Sequence, residues 1–406
     1  MHDGSFAPNV TQRFSRKRDD IIAAATEILN CRGVRGMTLA LVAERVGLIT
    51  TSVTYYFKKK DELAAACFQS GIRRLLALAH EARREETASA RVRRLLELYI
   101  DLRARIAAGQ EPAIPVFSDI RALSSETQGA TAHAYADLFR SVRRLFAAPG
   151  GEALGRGPAT ARTQILLEQI HWLETWLPRY DEHDYPRVCD RMHDILVGGL
   201  APPGAVWAPA PLSIAAPAAA SPADAFLRAG TRLINHRGYH GASVELISAS
   251  LNVTKGSFYH HHSAKDDVVT ACFERSFDAV RRAQLAARAL PGNEWRRLTS
   301  AAAALVEFQF SDAGPLLRTS ALAALPEKIR DEMIEQSGRL SDRFAAMISD
   351  GVAEGSIRPI DPFIASQMLN ATLNAAADLP VLLRGVEPKL AVEFYARPFF
   401  TGLTSR

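Results

Sequence analysis

The chain has 406 residues, 48% hydrophobic and 23% charged, with a formal net charge of +5. At roughly 150 residues per domain that makes two or three globular units, and the balance excludes a disordered chain. No apolar run approaches the ~20 residues needed to cross a bilayer. No signal-like core follows the N-terminal charges, and Cys31, Cys67, Cys189 and Cys272 lack metal-ligand or disulfide-framework spacing. A cytoplasmic protein with no membrane partner, metal or cofactor is expected.

In chain order, the first half reads as helix almost throughout. Ile21, Ile22, Ala25, Ile28 and Leu29 mark one apolar face, and Gly33 predicts its end. Thr38 is the expected N-cap of a second, short helix with Leu39, Val42, Ala43 and Val46 inward. Gly47 breaks it, and a third helix starts at Thr50 or Thr51, with Val53 and Phe57 inward and Thr50, Thr51, Thr54 and Tyr55 outward. The pattern is helix, tight turn, helix. Longer amphipathic helices follow over 61–82, 90–107, 115–123, 125–147, 160–176 and 185–200, with Ser125 and Gln128 as a capping box.

Residues 201–222 hold prolines at 202, 203, 209, 211, 217 and 222, which forbid regular helix. In extended form the segment spans roughly 65 Å, so a tethered but independently packed second half is physically possible. Beyond it the sequence repeats itself: NCRGVRGMT around Gly33 returns 205 residues later as NHRGYHGAS around Gly238. Asn30 and Asn235, Ser52 and Ser257, Lys60 and Lys265, and Cys67 and Cys272 coincide at that offset, and both halves close on Gly-Leu, at 199–200 and 402–403. Ser243 is the second N-cap, Asn252 replaces the turn glycine, and 255–262 is the counterpart of the third helix. Body helices are expected over 266–288, 293–310, 315–325, 327–348, 362–377 and 389–403. The fold is thus expected to be all-α in two tandem units: an N-terminal arm and first head over 1–60, a body over 61–200, a linker over 201–222, a second head over 223–265 and a second body over 266–406.

Small hydroxyls and tyrosines on the outward face of a short helix, flanked by cations, are what reading a DNA major groove needs. Residues 11–60 carry ten Lys and Arg against four acids, and 221–265 five against two, so the positive field lies on the heads while the bodies are net acidic. Arg13, Arg16, Lys17 and Arg18 form an arm that either enters a minor groove or lies over the DNA backbone. His260, His261 and His262 are adjacent and point about 100° apart on a helix, so they do not chelate a metal as i, i+4 histidines would.

MTLALVAERVGLITTSVTYYFKKKDEL resembles the head of the tetracycline-repressor family of transcriptional regulators, and SVELISASLNVTKGSFYHHHSAKDDV resembles it again. The resemblance covers about fifty residues per half and implies a DNA-binding repressor that is not an enzyme. It places DNA contacts on Thr38, Thr50, Thr51, Ser52, Thr54, Tyr55, Tyr56 and Lys60, and on Ser243, Lys255, Gly256, Ser257, Tyr259, His260, His261 and Lys265. It also implies a small-molecule pocket in the bodies, for which Phe117, Tyr135, Phe139, Trp172, Phe308 and Phe310 are candidate walls, and pairing through the last two helices of each half. A single-chain pseudo-dimer, a homodimer of tandem chains and a ligand sensor with silent heads all remain open. No nucleophile elbow, phosphate loop or HExxH is present.

Overall fold

The computed structural model describes residues 7–147, 154–214, 222–250 and 265–404. Among them every regular element is helical, as the apolar periodicity predicts. In the first half α1 (Ala7–Gly36), α2 (Leu39–Arg45) and α3 (Thr50–Tyr56) precede α4 (Lys60–Ala82), α5 (Ala88–Ala107), α6 (Ser125–Arg143), α7 (Arg156–Trp176) and α8 (Tyr185–Gly198). The second half has α9 (Pro222–Gly241), α10 (Val244–Ser250), α11 (Lys265–Arg288), α12 (Glu294–Phe308), α13 (Glu327–Ala353), α14 (Pro362–Ala375) and the short α15 (Leu379–Leu382). The last helix, α16, runs through Pro388–Ala391, one π turn over Val392–Ala396, and Arg397–Thr401.

The buried face of α1 is Ile21, Ile22, Ala25 and Leu29, and it packs on α4, where Leu63, Cys67, Phe68 and Ile72 are buried. Burying each such aliphatic side chain favours the packed state by about 1.5–3 kcal/mol, which holds these short helices where local propensity alone would not. Gly33 has φ 64° and turns the chain, but helix resumes to Gly36. At the other end α1 already begins at Ala7, so Arg13, Arg16, Lys17 and Arg18 ride on a helix and are not an extended arm.

Two predicted helices, 115–123 and 315–325, are not helices along their length. Asn30 donates from Nδ2 to the Ile114 carbonyl at 2.9 Å and accepts the Val116 N–H at 3.0 Å, so the backbone groups a helix would pair are already taken. Only Phe117–Ala122 forms a 3-10 turn. Asn235 does the same to Leu316 O at 2.8 Å and Arg318 N–H at 3.0 Å ahead of the 3-10 turn Thr319–Ala324. The cap of α6 is Ser124 rather than Ser125: its carbonyl takes the Gln128 N–H, and the Gln128 side chain reaches Arg121 O at 3.4 Å instead of closing a capping box.

α7 and α8 pack against α14 and α16. Within this layer Ile165, Ile170, Met192, Ile195, Met368, Leu369, Phe399 and Phe400 are buried. Gln169, fully buried, donates from Nε2 to Met368 O at 3.0 Å and Thr372 Oγ1 at 2.9 Å, and Arg162 donates from Nε to Leu403 O at 2.7 Å. The two Gly-Leu endings lie back to back: the N–H groups of Leu200 and Ala201 donate to Phe400 O at 2.7 and 3.0 Å, and Leu403 N–H donates to Leu196 O at 2.7 Å. Phe363, at the start of α14, is 44% exposed and stays outside this core.

The described part of the linker is not free. Trp207 donates from Nε1 to Glu393 at 2.7 Å and lies against Phe400, the rings tilted by 42° with centroids 5.6 Å apart. Val206 O accepts from Trp295 Nε1 at 2.9 Å, Ala210 N–H donates to Ser300 Oγ at 2.8 Å, and Ile214 O accepts from Arg282 at 3.1 Å. Residues 201–214 are thus laid along the second body. Among the described residues no helix is long and apolar enough to cross a membrane.

Candidate functional site

The first head is built around two buried residues, Val53 and Phe57, which fix α3 on its apolar side. Thr38 Oγ1 accepts the Leu41 N–H at 3.2 Å, the N-cap its sequence context predicts, and Gly47 at φ 64° makes the turn into α3. Thr50, Thr51 and Tyr55 are exposed, Tyr55 at 68%, while Ser52, Thr54 and Tyr56 are half-buried. Thr54 donates its hydroxyl to Thr50 O at 2.9 Å and keeps its lone pairs for an outside donor. Phe14 of α1 lies 4.7 Å from Tyr56 and 6.0 Å from Tyr55 between ring centroids, so these phenols are ordered by an aromatic cluster.

The cations divide into two kinds. Lys58 is exposed, and Lys59 pairs with Glu126 of α6 at 3.0 Å in solvent. Lys60 is half-buried and donates to Arg35 O at 3.1 Å at the end of α1, where a cation also complements the helix dipole. Arg18 lies over the Phe57 ring at 5.1 Å. The face therefore presents hydroxyls and phenols inside a cationic rim.

In the second head Gly238 has φ 71° and Ser243 Oγ accepts the Leu246 N–H at 3.3 Å, matching Gly33 and Thr38. Tyr239 donates its hydroxyl to Asp266 at the start of α11. Lys255, Gly256, Ser257, Tyr259, His260 and His261 lie outside the described residues, as do Asn252, His262 and the side chain of Lys265.

A cavity of about 960 Å³ opens beside the first head. Phe117, Tyr135, Phe139 and Trp172 line it, with Phe117 5.8 Å from Tyr135 and 5.6 Å from His171 between ring centroids. Phe308 and Phe310 do not: Phe308 ends α12 inside the core of the second body, and Phe310 is half-buried just beyond it. The wall is shared between halves, because Arg318, Leu322 and Asp378 line it together with Arg121 and Glu168. Arg121 pairs with Asp378 at 3.3 Å, Arg318 pairs with the same carboxylate, and Arg318 stands 3.8 Å from Glu168. Burial pushes the Glu168 carboxyl up to about 7 and the His171 imidazole down to about 4, so the histidine is neutral near pH 7. The site combines aromatic walls with a compact, half-buried charge cluster, a surface suited to a small organic molecule carrying polar groups. Asn30 and Cys31 of α1 also line it, which sets the cavity directly against the first head.

The profile of bacterial regulatory proteins of the tetR family matches residues 21–67, which hold the helix-turn-helix just described, and again residues 226–272 of the repeat. The chain is a tandem tetR-family regulator. It is similar to the HTH-type transcriptional repressor DhaR of Mycobacterium sp. (strain GP1), with 28% identity over 165 residues, 39% of this chain and 82% of that protein. Among solved structures, FadR from Bacillus subtilis in complex with stearoyl-CoA is 15% identical, covering 44% of this chain and 97% of its own at a TM-score of 0.37. PfmR from Thermus thermophilus is 18% identical, covering 45% and 99% at 0.38.

For this tandem regulator, sequence reasoning missed Phe14, Arg318 and Asp378. Phe14 carries a weak signal, an aromatic four residues before Arg18 on what proves to be the same helix. Arg318 and Asp378 carry none, since each reaches the cavity only by packing of the second half against the first.

Proposed function

We propose that this DNA-binding transcriptional regulator acts in the cytoplasm as a repressor in which the two halves of one chain pair as two subunits would. A small molecule in the shared cavity then lowers its affinity for DNA. The observation that supports the pairing is the interlaced Gly-Leu endings, with Leu200 N–H on Phe400 O and Leu403 N–H on Leu196 O, together with Gln169 and Arg162 bonded into the opposite half. Such a buried, directional interface inside one chain leaves little of the same helical surface for a second copy. Since the sequence reads TTSVTYY in one head and KGSFYHH at the matching positions of the other, the operator joins two unlike half-sites about one helical turn or a small multiple apart.

Light scattering at micromolar protein combined with footprinting on the DNA upstream of the gene tests this reading. A monomer protecting one asymmetric operator is expected. An obligate dimer of tandem chains on a perfect palindrome overturns the pairing, and the absence of any salt-sensitive shift overturns DNA binding in favour of a ligand sensor with silent heads. For the effector, thermal-shift screening of metabolites should find a stabilising compound that also releases DNA, since release requires differential binding to two states. A compound that stabilises and leaves DNA affinity unchanged counts against release.

A further inference from the structure

The two Asn clamps follow the repeat, but what surrounds them does not. Asn30 and Asn235 each hold the extended strip ahead of a 3-10 turn, which puts Ile114 opposite Leu316 and Val116 opposite Arg318. Continuing in that register, Arg121 has Ala323 as its counterpart. Both arginines of the cluster therefore serve one clamp, that of the second head. Arg121 donates from Nη1 to the Asn235 carbonyl, and the backbone N–H of Arg318 donates to Asn235 Oδ1 at 3.0 Å. Asp378 binds both guanidinium groups, so Asn235, Arg121, Asp378 and Arg318 close a ring. Asn235 stands three residues before Gly238, where α9 loses its helical geometry. The guanidinium thus adds a charge-assisted bond on a carbonyl close to that kink.

We propose that Arg121 is a positioning residue through which the cavity, set directly against the first head, also reaches the second head across the two halves. Arg121, Arg318 and Asp378 all line the cavity, so a molecule that takes a guanidinium N–H, or moves Asp378, also changes the bond on Asn235 O. In the first head Asn30 lines the cavity through its own clamp, and at the position in register with Arg121 the sequence has alanine, 323. The two heads thus differ in how they are held as well as in what they read. The inference rests on the reading of this cavity as the effector site only for its link to ligand; the link from Arg121 to the second head stands apart from it.

Hydrogen exchange of the full-length chain, wild type against Arg121→Ala and Arg121→Lys, tests the link without DNA or ligand. In Arg121→Ala, peptides within 223–241 should exchange at least about threefold faster while those within 21–36 keep their wild-type rates. Arg121→Lys, which keeps the charge and one donor nitrogen, should restore part of the protection. Equal change in both segments, or none in 223–241, overturns the proposal. A second arm uses a duplex operator selected from random DNA, with each half-site scrambled in turn: Arg121→Ala should weaken the contribution of one half-site about fivefold and spare the other. Loss of both alike overturns the proposal as well. If the wild-type chain selects no duplex at all, it is the DNA-binding reading that fails, and the exchange data still decide the role of Arg121.

Discussion

Arg358, between α13 and α14, grips Asp194 of α8 with its Nη1 3.1 and 2.9 Å from the two carboxylate oxygens, while Nη2 donates to Asp194 O at 2.8 Å and Nε to Gly199 O at 2.6 Å. One side chain of the second half thus satisfies the end of the last helix of the first. Replacing it with alanine leaves those carbonyls and the carboxylate to water alone, and several charge-assisted bonds are lost together. Arg358→Ala is expected to lower the unfolding free energy by about 2–3 kcal/mol in urea denaturation of the whole chain. An unchanged midpoint would refute the grip as a stabilising contact.

Gly199 and Gly402 lie opposite each other with φ of 67° and 102°, and a β-carbon at the first would meet Phe400 O at 2.3 Å, at the second Val197 O at 2.1 Å. Either glycine changed to alanine should cost more than about 2 kcal/mol, strain and clash together. Gly355→Ala is the control. Its φ is 78° but nothing lies within 4 Å, so only the backbone penalty of about 1 kcal/mol applies. Equal losses at all three positions would show that crowding across the halves contributes nothing.

Glu168 makes stability depend on pH. Burial is the main cause of its rise from 4.5 to about 7, with Arg318 pulling it down and Asp378 pushing it up. The folded state therefore holds this proton more tightly than the unfolded state. Its contribution is full below pH 4.5 and is lost as pH rises through about 7. Glu168→Gln should flatten that part of the melting temperature against pH curve and gain on the wild type above pH 7. Parallel curves for the two proteins would refute it.

At the first head, Lys58 and Lys60 should separate. Lys58→Ala touches only solvent-exposed charge, so it should leave stability within about 0.5 kcal/mol and reduce the salt slope of DNA binding by about one phosphate contact. Lys60→Ala also removes the donor on Arg35 O, and should lower the melting temperature as well. Tyr55→Ala, at an exposed position, should instead change which operator is preferred, by about 1–3 kcal/mol, with little effect on stability. Thermal melts beside salt-titrated mobility shifts measure all three.

What could be read along the chain was what is local in it. The apolar face of α1, the Thr38 cap and the turn at Gly47 each depend on residues within a turn or two, and the repeat made the Ser243 cap legible by comparison. The strips at 114–116 and 316–318 looked helical because their apolar spacing is helical; what unwinds them is an amide 84 or 81 residues away. The linker looked like a free tether because proline forbids helix, yet Trp207 finds Glu393 at a separation of 186. The wall aromatics Phe117 and Tyr135 were visible as types, whereas the charge cluster among them, Arg121 with Asp378, joins residues 257 apart.

Duplication frees each copy to drift, as the paired sequences TTSVTYY and KGSFYHH show. The closing glycines have no such freedom, because the space each one leaves is filled by the carbonyl of the other copy. A change at one ending must be answered at the other, so the two endings form a matched joint. A chain made this way can alter what either head reads while the fit of its halves stays fixed. Grafting a foreign half onto it would succeed only if the newcomer brought the same bare Cα to the seam.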